Sequence, residues 1–334
     1  MVTTGALRPR PVALLFAGQG AQHPGMGLHL YGVEPCFTDA MDEVFALLGP
    51  DGPDLRDGWL AGRTDGFDDA GRAQPLLFAL GYALARLLLG RGVRPAALLG
   101  HSVGEAVAAV VADVVSLPDA VRLLVARTAA ARTTPPGGML AVAASPGTLA
   151  GLLPEGVAVA AVNGPTQILL AGAREPLAEA ERRLRARGVP CRPARARQGF
   201  HSPLMEPAVA ATLPEYERTR WRAPAVRLYS AATGGPLTAG EATDPRFWGR
   251  QLAGPVLFGP ALHRMLTDDD FVLVDAGPGQ SLLSLARRHP AVASGRSRAV
   301  SLLPAAHAAP GPAGRALADA VERIRAEGHT PPVQ

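Results

Sequence analysis

No lysine occurs in the 334-residue chain, so all 33 basic residues are arginines, a composition that reflects coding bias more than chemical demand. Cysteine is nearly absent as well. Its two copies, Cys36 and Cys191, lie far apart and form no CxxC or Cys/His spacing, which argues against a disulfide framework and against a metal site. Both are expected to be plain buried residues. Aromatic residues make up only 5% of the chain and no arginine run is interleaved with them, which sets nucleic-acid binding aside. No apolar run reaches the roughly 18 to 20 uncharged residues of a membrane span. The run around Leu76 to Leu89 is cut by Arg86, and that at Ala106 to Val115 is too short. The N-terminal Met-Val-Thr-Thr-Gly-Ala-Leu-Arg lacks the apolar centre of a signal peptide. A cytoplasmic protein without membrane contact is expected. The net charge of +4 and pI of 9.6 are mild. On charge alone, an acidic protein partner and a plain basic surface stand about equal.

What the chain does have is apolar bulk: 48% hydrophobic residues against 19% charged ones indicate a packed core in one large domain or two modest ones. The first half alternates short apolar runs with helical patterns, the signature of a parallel sheet with crossover helices. Pro11 to Phe16 and Pro95 to Leu99 read as buried strands, 72–90 and Ala106 to Val111 as helices, and Ser116 as the cap of another helix opened by Leu117, Pro118 and Asp119. Between Gly138 and Gly199 the rhythm becomes strand (Met139 to Ala144), helix (Pro146 to Leu153), strand (Val157 to Val162), strand (Gln167 to Ala171), helix (Glu175 to Arg187), strand (Val189 to Ala194). That β-α-β-β-α-β order is ferredoxin-like and marks an inserted subdomain. Val226 to Ala231 and Phe271 to Val274 return to sheet, and a Pro/Ala/Gly loop at 304–313 precedes a last helix from Ala316 to Ala326.

Gly100-His101-Ser102-Val103-Gly104 falls where a strand meets a helix, a nucleophile-elbow pattern with glycines that permit a sharp turn. Ser102 would then lie at a helix N-terminus, where free N–H groups favour developing negative charge. His101, adjacent to Ser102 and pointing elsewhere from a tight turn, is expected to support the site rather than to serve as its base. His201 lies just after the inserted unit, where a loop can overhang the sheet's carboxyl edge, but spacing alone does not separate a base from a capping or surface histidine. His23, His29, His263, His289, His307 and His329 read as surface or loop residues. Arg127, among Leu123, Leu124 and Val125, reads by itself as a salt-bridged or snorkelling side chain.

Phe16-Ala-Gly-Gln-Gly-Ala-Gln-His-Pro-Gly-Met-Gly, Ala73-Gln-Pro-Leu-Leu-Phe-Ala, Gly100-His-Ser-Val-Gly-Glu, Arg127, Gly138-Met-Leu-Ala-Val, Ala161-Val-Asn-Gly, Phe200-His-Ser-Pro-Leu-Met and Asp275-Ala-Gly-Pro-Gly follow one another with suitable gaps. Together, from about Val12 to Arg287, they resemble the malonyl-CoA:acyl carrier protein transacylases and the acyltransferase domains of type I polyketide synthases. The resemblance implies an α/β fold: a large α/β-hydrolase-like subdomain with a parallel sheet (1–136 and 200–334) holding a small ferredoxin-like subdomain (137–199). It implies Ser102 as nucleophile, His201 as base, Gln251 as the residue whose backbone carbonyl orients the histidine, and the N–H groups of Gln19 and Val103 as oxyanion hole. Arg127 matches the arginine that clamps the free carboxylate of malonyl, a task for which a planar guanidinium is suited. Phe200 matches the aromatic of malonyl-selective members, and His101 and Asn163 fall on the substrate side. No cofactor or metal is implied, coenzyme A entering as an acyl-CoA thioester, and the second substrate implied is an acyl carrier protein; such carriers are acidic and this chain is basic, so Arg192, Arg195 and Arg197, just before His201, are candidates to meet it. A monomer acting as a discrete enzyme is expected.

Two features depart from the family pattern. Gln198-Gly199-Phe200-His201 stands where His-Ala-Phe-His is usual, and Val103 is neither residue most tied to one extender unit. Three rivals remain: a hydrolase that clears carrier-bound acyl groups, a patatin-like lipase with a Ser102/Asp275 dyad, and a non-catalytic docking module. Arg127 disfavours the first, the missing glycine-rich oxyanion motif the second, and the filled catalytic positions the third.

Overall fold

The computed structural model describes residues 9–305 and 315–327. The signal-peptide reading of the first eight residues, most of the 304–313 loop, His307 and His329 lie outside the described residues. Among the described residues, ten strands form two sheets: β1 (Val12–Phe16), β2 (Pro95–Gly100), β3 (Gly137–Val142), β4 (Val157–Gly164), β5 (Gln167–Ala173), β6 (Cys191–Pro193), β7 (Arg227–Ser230), β8 (Gly235–Pro236), β9 (Val272–Asp275) and β10 (Arg298–Ser301).

The large sheet runs β10-β9-β1-β2-β7-β8, parallel throughout except for β8, which turns back antiparallel on β7. Its central strand is apolar on both faces because both faces are covered. Val12, Leu14 and Phe16 feed one core and Ala13 and Leu15 the other, with Leu98 and Val272 joining the first and Leu99 and Leu273 the second. Helix Ala70–Gly90 is long and apolar enough to cross a bilayer, yet 83% of that apolar window is buried inside the protein. Asp69 starts it by accepting the N–H of Gly71 at 2.9 Å.

The second sheet is antiparallel in the order β4-β5-β3-β6, the ferredoxin-like arrangement expected of its β-α-β-β-α-β rhythm. Two of its elements are shorter than the apolar pattern suggests. The helix opened by Pro146 stops at Leu149, where Gly151 takes a positive φ of 74°. Strand β6 spans only Cys191–Pro193, bounded by Pro190 and Pro193, neither of which has an N–H for the ladder.

The cysteine expectation is corrected by the fold: Cys36 is exposed and Cys191 half-buried. Cys36 is the second residue of helix Pro35–Leu47, whose buried stripe is Phe37, Ala40, Met41, Val44 and Phe45, so position 36 points off the core. Cys191 opens the edge strand β6.

Strand β2, Ser102 and helix Val103–Val111 make the turn that positions the site. Ser102 has φ 54° and ψ −116°, a conformation disfavoured for a side chain with a Cβ and held only by its surroundings. The glycines beside it have a steric reason. A Cβ on Gly100 would overlap the backbone of Gly104 and Glu105, and one on Gly104 would overlap the carbonyl of Phe16. The helix thus crosses directly over the end of β1. Gly104→Ala should therefore destabilise the protein by about 1 to 3 kcal/mol through overpacking. Gly240→Ala, at a helical position with nothing within 4 Å of the added methyl, should be neutral or slightly stabilising. Thermal melts of the two variants decide it, and matching curves would show that the turn tolerates a side chain.

Candidate active site

The hydroxyl of Ser102 lies 2.8 Å from Nε2 of His201. On the other edge of the ring, Nδ1 is 3.0 Å from the carbonyl of Gln251 and 3.0 Å from that of Gly254. Carbonyl oxygens only accept, so Nδ1 carries the proton and Nε2 offers its lone pair to the Ser102 hydroxyl, as a general base must. The imidazole is fixed through its backbone as well: His201 has φ 60°, and its N–H donates to the Leu252 carbonyl at 2.9 Å. The segment that supplies these carbonyls is itself pinned to the small sheet. Val256 donates to Ala160 at 2.9 Å and accepts from Val162 at 2.8 Å, extending β4 by a parallel bridge.

Burial, and next the positive charge of Arg127, push the His201 imidazole down to about 4, against the two carbonyls that pull it up. The ring is therefore neutral at physiological pH. Asp275, the partner required by the lipase reading, is buried at the end of β9 with its carboxyl facing the backbone N–H groups of Leu283 and Gly277, while the Ser102 hydroxyl faces His201.

Val103 is the first residue of its helix, so its N–H has no intrahelical acceptor. The loop bearing Gln19 is held against the same turn. The His101 N–H donates to Phe16 at 2.9 Å, and Gly18 packs so closely that a Cβ there would come within 2.6 Å of the His101 carbonyl. The Gln19 side chain accepts from Gln74 Nε2 at 3.0 Å and donates to the Asp68 carbonyl at 3.1 Å. His101 Nε2 stands 2.8 Å from Asn163 Oδ1, a bond from the large sheet to β4.

Arg127 lies on helix Leu117–Arg132 and is only 7% exposed. Arg122 and Arg132 of the same helix pair with Asp119, Glu215 and Asp69. Among the described residues Arg127 has no such partner, and its buried Nε has no hydrogen bond. It shares with Ser102, His201, Gln251 and Glu105 the lining of a cavity of about 10 Å³, room for roughly one water molecule. Phe200 is buried in the core beneath the small sheet, and neither it, His101 nor Asn163 lines that cavity. Arg192, Arg195 and Arg197 are exposed, Arg195 lying 3.6 Å from Asp68.

Sequence reasoning gave no role to Glu105, the acid three residues beyond the serine, nor to Gly254, the second carbonyl on His201. A signal for the first was present: a lone carboxylate inside Val103-Gly-Glu-Ala-Val-Ala-Ala-Val-Val needs a buried partner. None existed for Gly254, because a backbone carbonyl leaves no mark on residue type.

A model of the acyl transferase domain matches residues 13–305. A phenolphthiocerol/phthiocerol polyketide synthase of Mycobacterium tuberculosis is 36% identical over 280 residues, 84% of this chain and 19% of that protein. The chain thus spans about a fifth of the length of that relative. Among solved structures, the acyltransferase domain from the second module of the salinomycin polyketide synthase is 36% identical with a TM-score of 0.85, covering 97% of this chain and 74% of that one. The malonyl-CoA:acyl carrier protein transacylase of Xanthomonas oryzae pv. oryzae is 26% identical with a TM-score of 0.82, covering 96% and 99%. With the family pattern running through both sheets, the chain belongs to the acyl transferase domain family, which the synthase domains share with the transacylases.

Proposed function

We propose that the protein transfers a malonyl group from coenzyme A to the phosphopantetheine thiol of an acyl carrier protein through an acyl-Ser102 intermediate. The observation that carries this is the buried guanidinium of Arg127, which makes no ion pair among the described residues and no hydrogen bond at Nε, in one cavity with the Ser102–His201 pair. Ser102 Oγ attacks the thioester carbonyl as its proton passes to His201 Nε2. The N–H groups of Val103 and Gln19 receive the oxyanion, and the tetrahedral adduct expels the coenzyme A thiolate, which takes the proton from His201. The carrier thiol then attacks the ester, gives its proton to His201, and Ser102 Oγ recovers it on leaving. Arg192, Arg195 and Arg197 offer an acidic carrier an exposed basic edge beside the loop that leads to His201.

Incubation with malonyl-CoA and intact-protein mass spectrometry test the intermediate: the chain should gain one malonyl group and Ser102→Ala none. Labelling of that variant would mean a different nucleophile. Release of free malonate faster than transfer to carrier protein would favour the hydrolase.

The histidine's protonation sets the acid limb of loading. Neutral imidazole is the active form, so kcat/KM for loading should hold between about pH 6 and 5 and halve near pH 4. Quenched-flow mixing after a pH jump reads this before acid unfolding intervenes, and a midpoint near 6.5 would show an unperturbed ring.

Arg127→Ala would leave a malonyl carboxylate buried and unpaired, a cost of about 3 to 5 kcal/mol or roughly two to four powers of ten in kcat/KM. Acetyl-CoA, with no charge to strand, should load as fast or faster. Equal losses with both thioesters would make Arg127 structural.

A further inference from the structure

Glu105 is a buried acid that the transfer chemistry above leaves unused. It stands in the first turn of helix Val103–Val111, is 3% exposed, and lines the same cavity as Ser102, His201 and Arg127. The Ser230 hydroxyl donates to its Oε1 and in turn accepts the N–H of Ala232 at 3.0 Å. Burial pushes the carboxyl up to about 7, against the Ser230 hydroxyl, the backbone N–H groups of Ala232 and Ala231, and the Arg127 guanidinium, all of which favour its charged form. The titratable groups of the cavity are thus Glu105, Arg127 and His201, with the Tyr216 hydroxyl beside Arg127. His201 is neutral, so one fixed cation stands near one acid that is close to balance between its two forms.

A substrate carboxylate on Arg127 changes that balance. Two anions would then share one cation in a site with room for about one water, and like charges so placed do not both stay ionised. A carboxyl next to an activated carbonyl is the stronger acid, so the proton goes to Glu105. We propose that Glu105 is the internal counter-charge of Arg127, and that binding a carboxylated acyl group protonates it with a proton drawn from solvent, while a neutral acyl group leaves it ionised. Glu105 is in this sense a positioning residue for specificity, acting through Arg127. Because binding takes up a proton, selectivity for malonyl over acetyl must fall as pH rises through and beyond the free-state value of Glu105, towards a limit of about tenfold per pH unit.

This inference rests on the carboxylate-clamp reading of Arg127. The Ser102→Ala protein, unable to form the acyl-enzyme, is titrated with malonyl-CoA and with acetyl-CoA at pH 8 by calorimetry in phosphate and in Tris. The dependence of the heat on buffer ionisation counts the protons. Malonyl-CoA should take up roughly half to one proton more than acetyl-CoA, and Glu105→Gln in the same background should abolish the difference. Equal counts for the two thioesters, or a difference that survives Glu105→Gln, overturns the proposal. Should that variant fail to fold, the unsubstituted protein still decides: its malonyl-to-acetyl ratio of kcat/KM must fall from pH 6 to 9, and a flat ratio refutes the idea. Undiminished malonyl loading by Arg127→Ala would instead sink the clamp reading itself.

Discussion

The 2.8 Å hydrogen bond between Ser102 and His201 joins residues 99 positions apart, and much of the architecture serves to keep its two ends fixed. One end is fixed by backbone alone. Ser102 sits at a positive φ between a strand and a helix whose glycines leave no room for relaxation, so its hydroxyl has no alternative place to go. The other end is fixed by the meeting of the two sheets. His201 follows the small subdomain, its ring is held by carbonyls of the 251–254 segment, and that segment continues into the bridge onto β4. The small sheet therefore does more than cover the cleft. It sets the position of the imidazole that faces the Ser102 hydroxyl.

Electrostatics in so small a cavity are dominated by a single cation. Arg127 acts on two acids and bases at once: it works with burial to lower His201, and against burial to keep Glu105 from rising further. Neither effect needs direct contact, since charges in a water-poor site interact over several ångströms. A neutral imidazole and a guanidinium free of ion pairs among the described residues are together what a carboxylated thioester would require, a base able to accept a proton and a charge able to hold the far end of the acyl group.

Much of this was legible in the residues, for identifiable reasons. Strands β1 and β2 are runs buried on both faces, so apolar continuity alone marks them, and the change of rhythm after Gly138 reveals the second sheet. Helices Asp51–Leu60 and Glu206–Arg218 escaped because Gly52, Pro53 and Gly58 in the one and Pro207 and Pro214 in the other disguise the helical period. Proline in a first turn costs no hydrogen bond, and tertiary packing overrides the rest. At the site, Ser102 announced itself through its flanking glycines. His201 and Arg127 did not: each had an ordinary structural reading until the family pattern gave it a role. What orders the imidazole is two main-chain oxygens, and no side-chain pattern could have shown the second of them.

That choice of backbone carbonyls has an electrostatic consequence. A carboxylate in the orienting position would stabilise imidazolium and raise the base, but it would also add a permanent anion to a cavity whose one cation is Arg127. That anion would join Glu105 in competing with a substrate carboxylate for the guanidinium. Carbonyl oxygens fix the tautomer by accepting from Nδ1 while contributing no net charge, so His201 is oriented without neutralising the arginine. Asp275, a second buried carboxyl at the end of β9, fits the same constraint: burial pushes it up to about 8, so it is mostly uncharged at neutral pH and adds little to the field at the serine. With Glu105 already set against Arg127, a second fully charged acid in the same field would compete with a substrate carboxylate for one guanidinium, and an uncharged Asp275 does not.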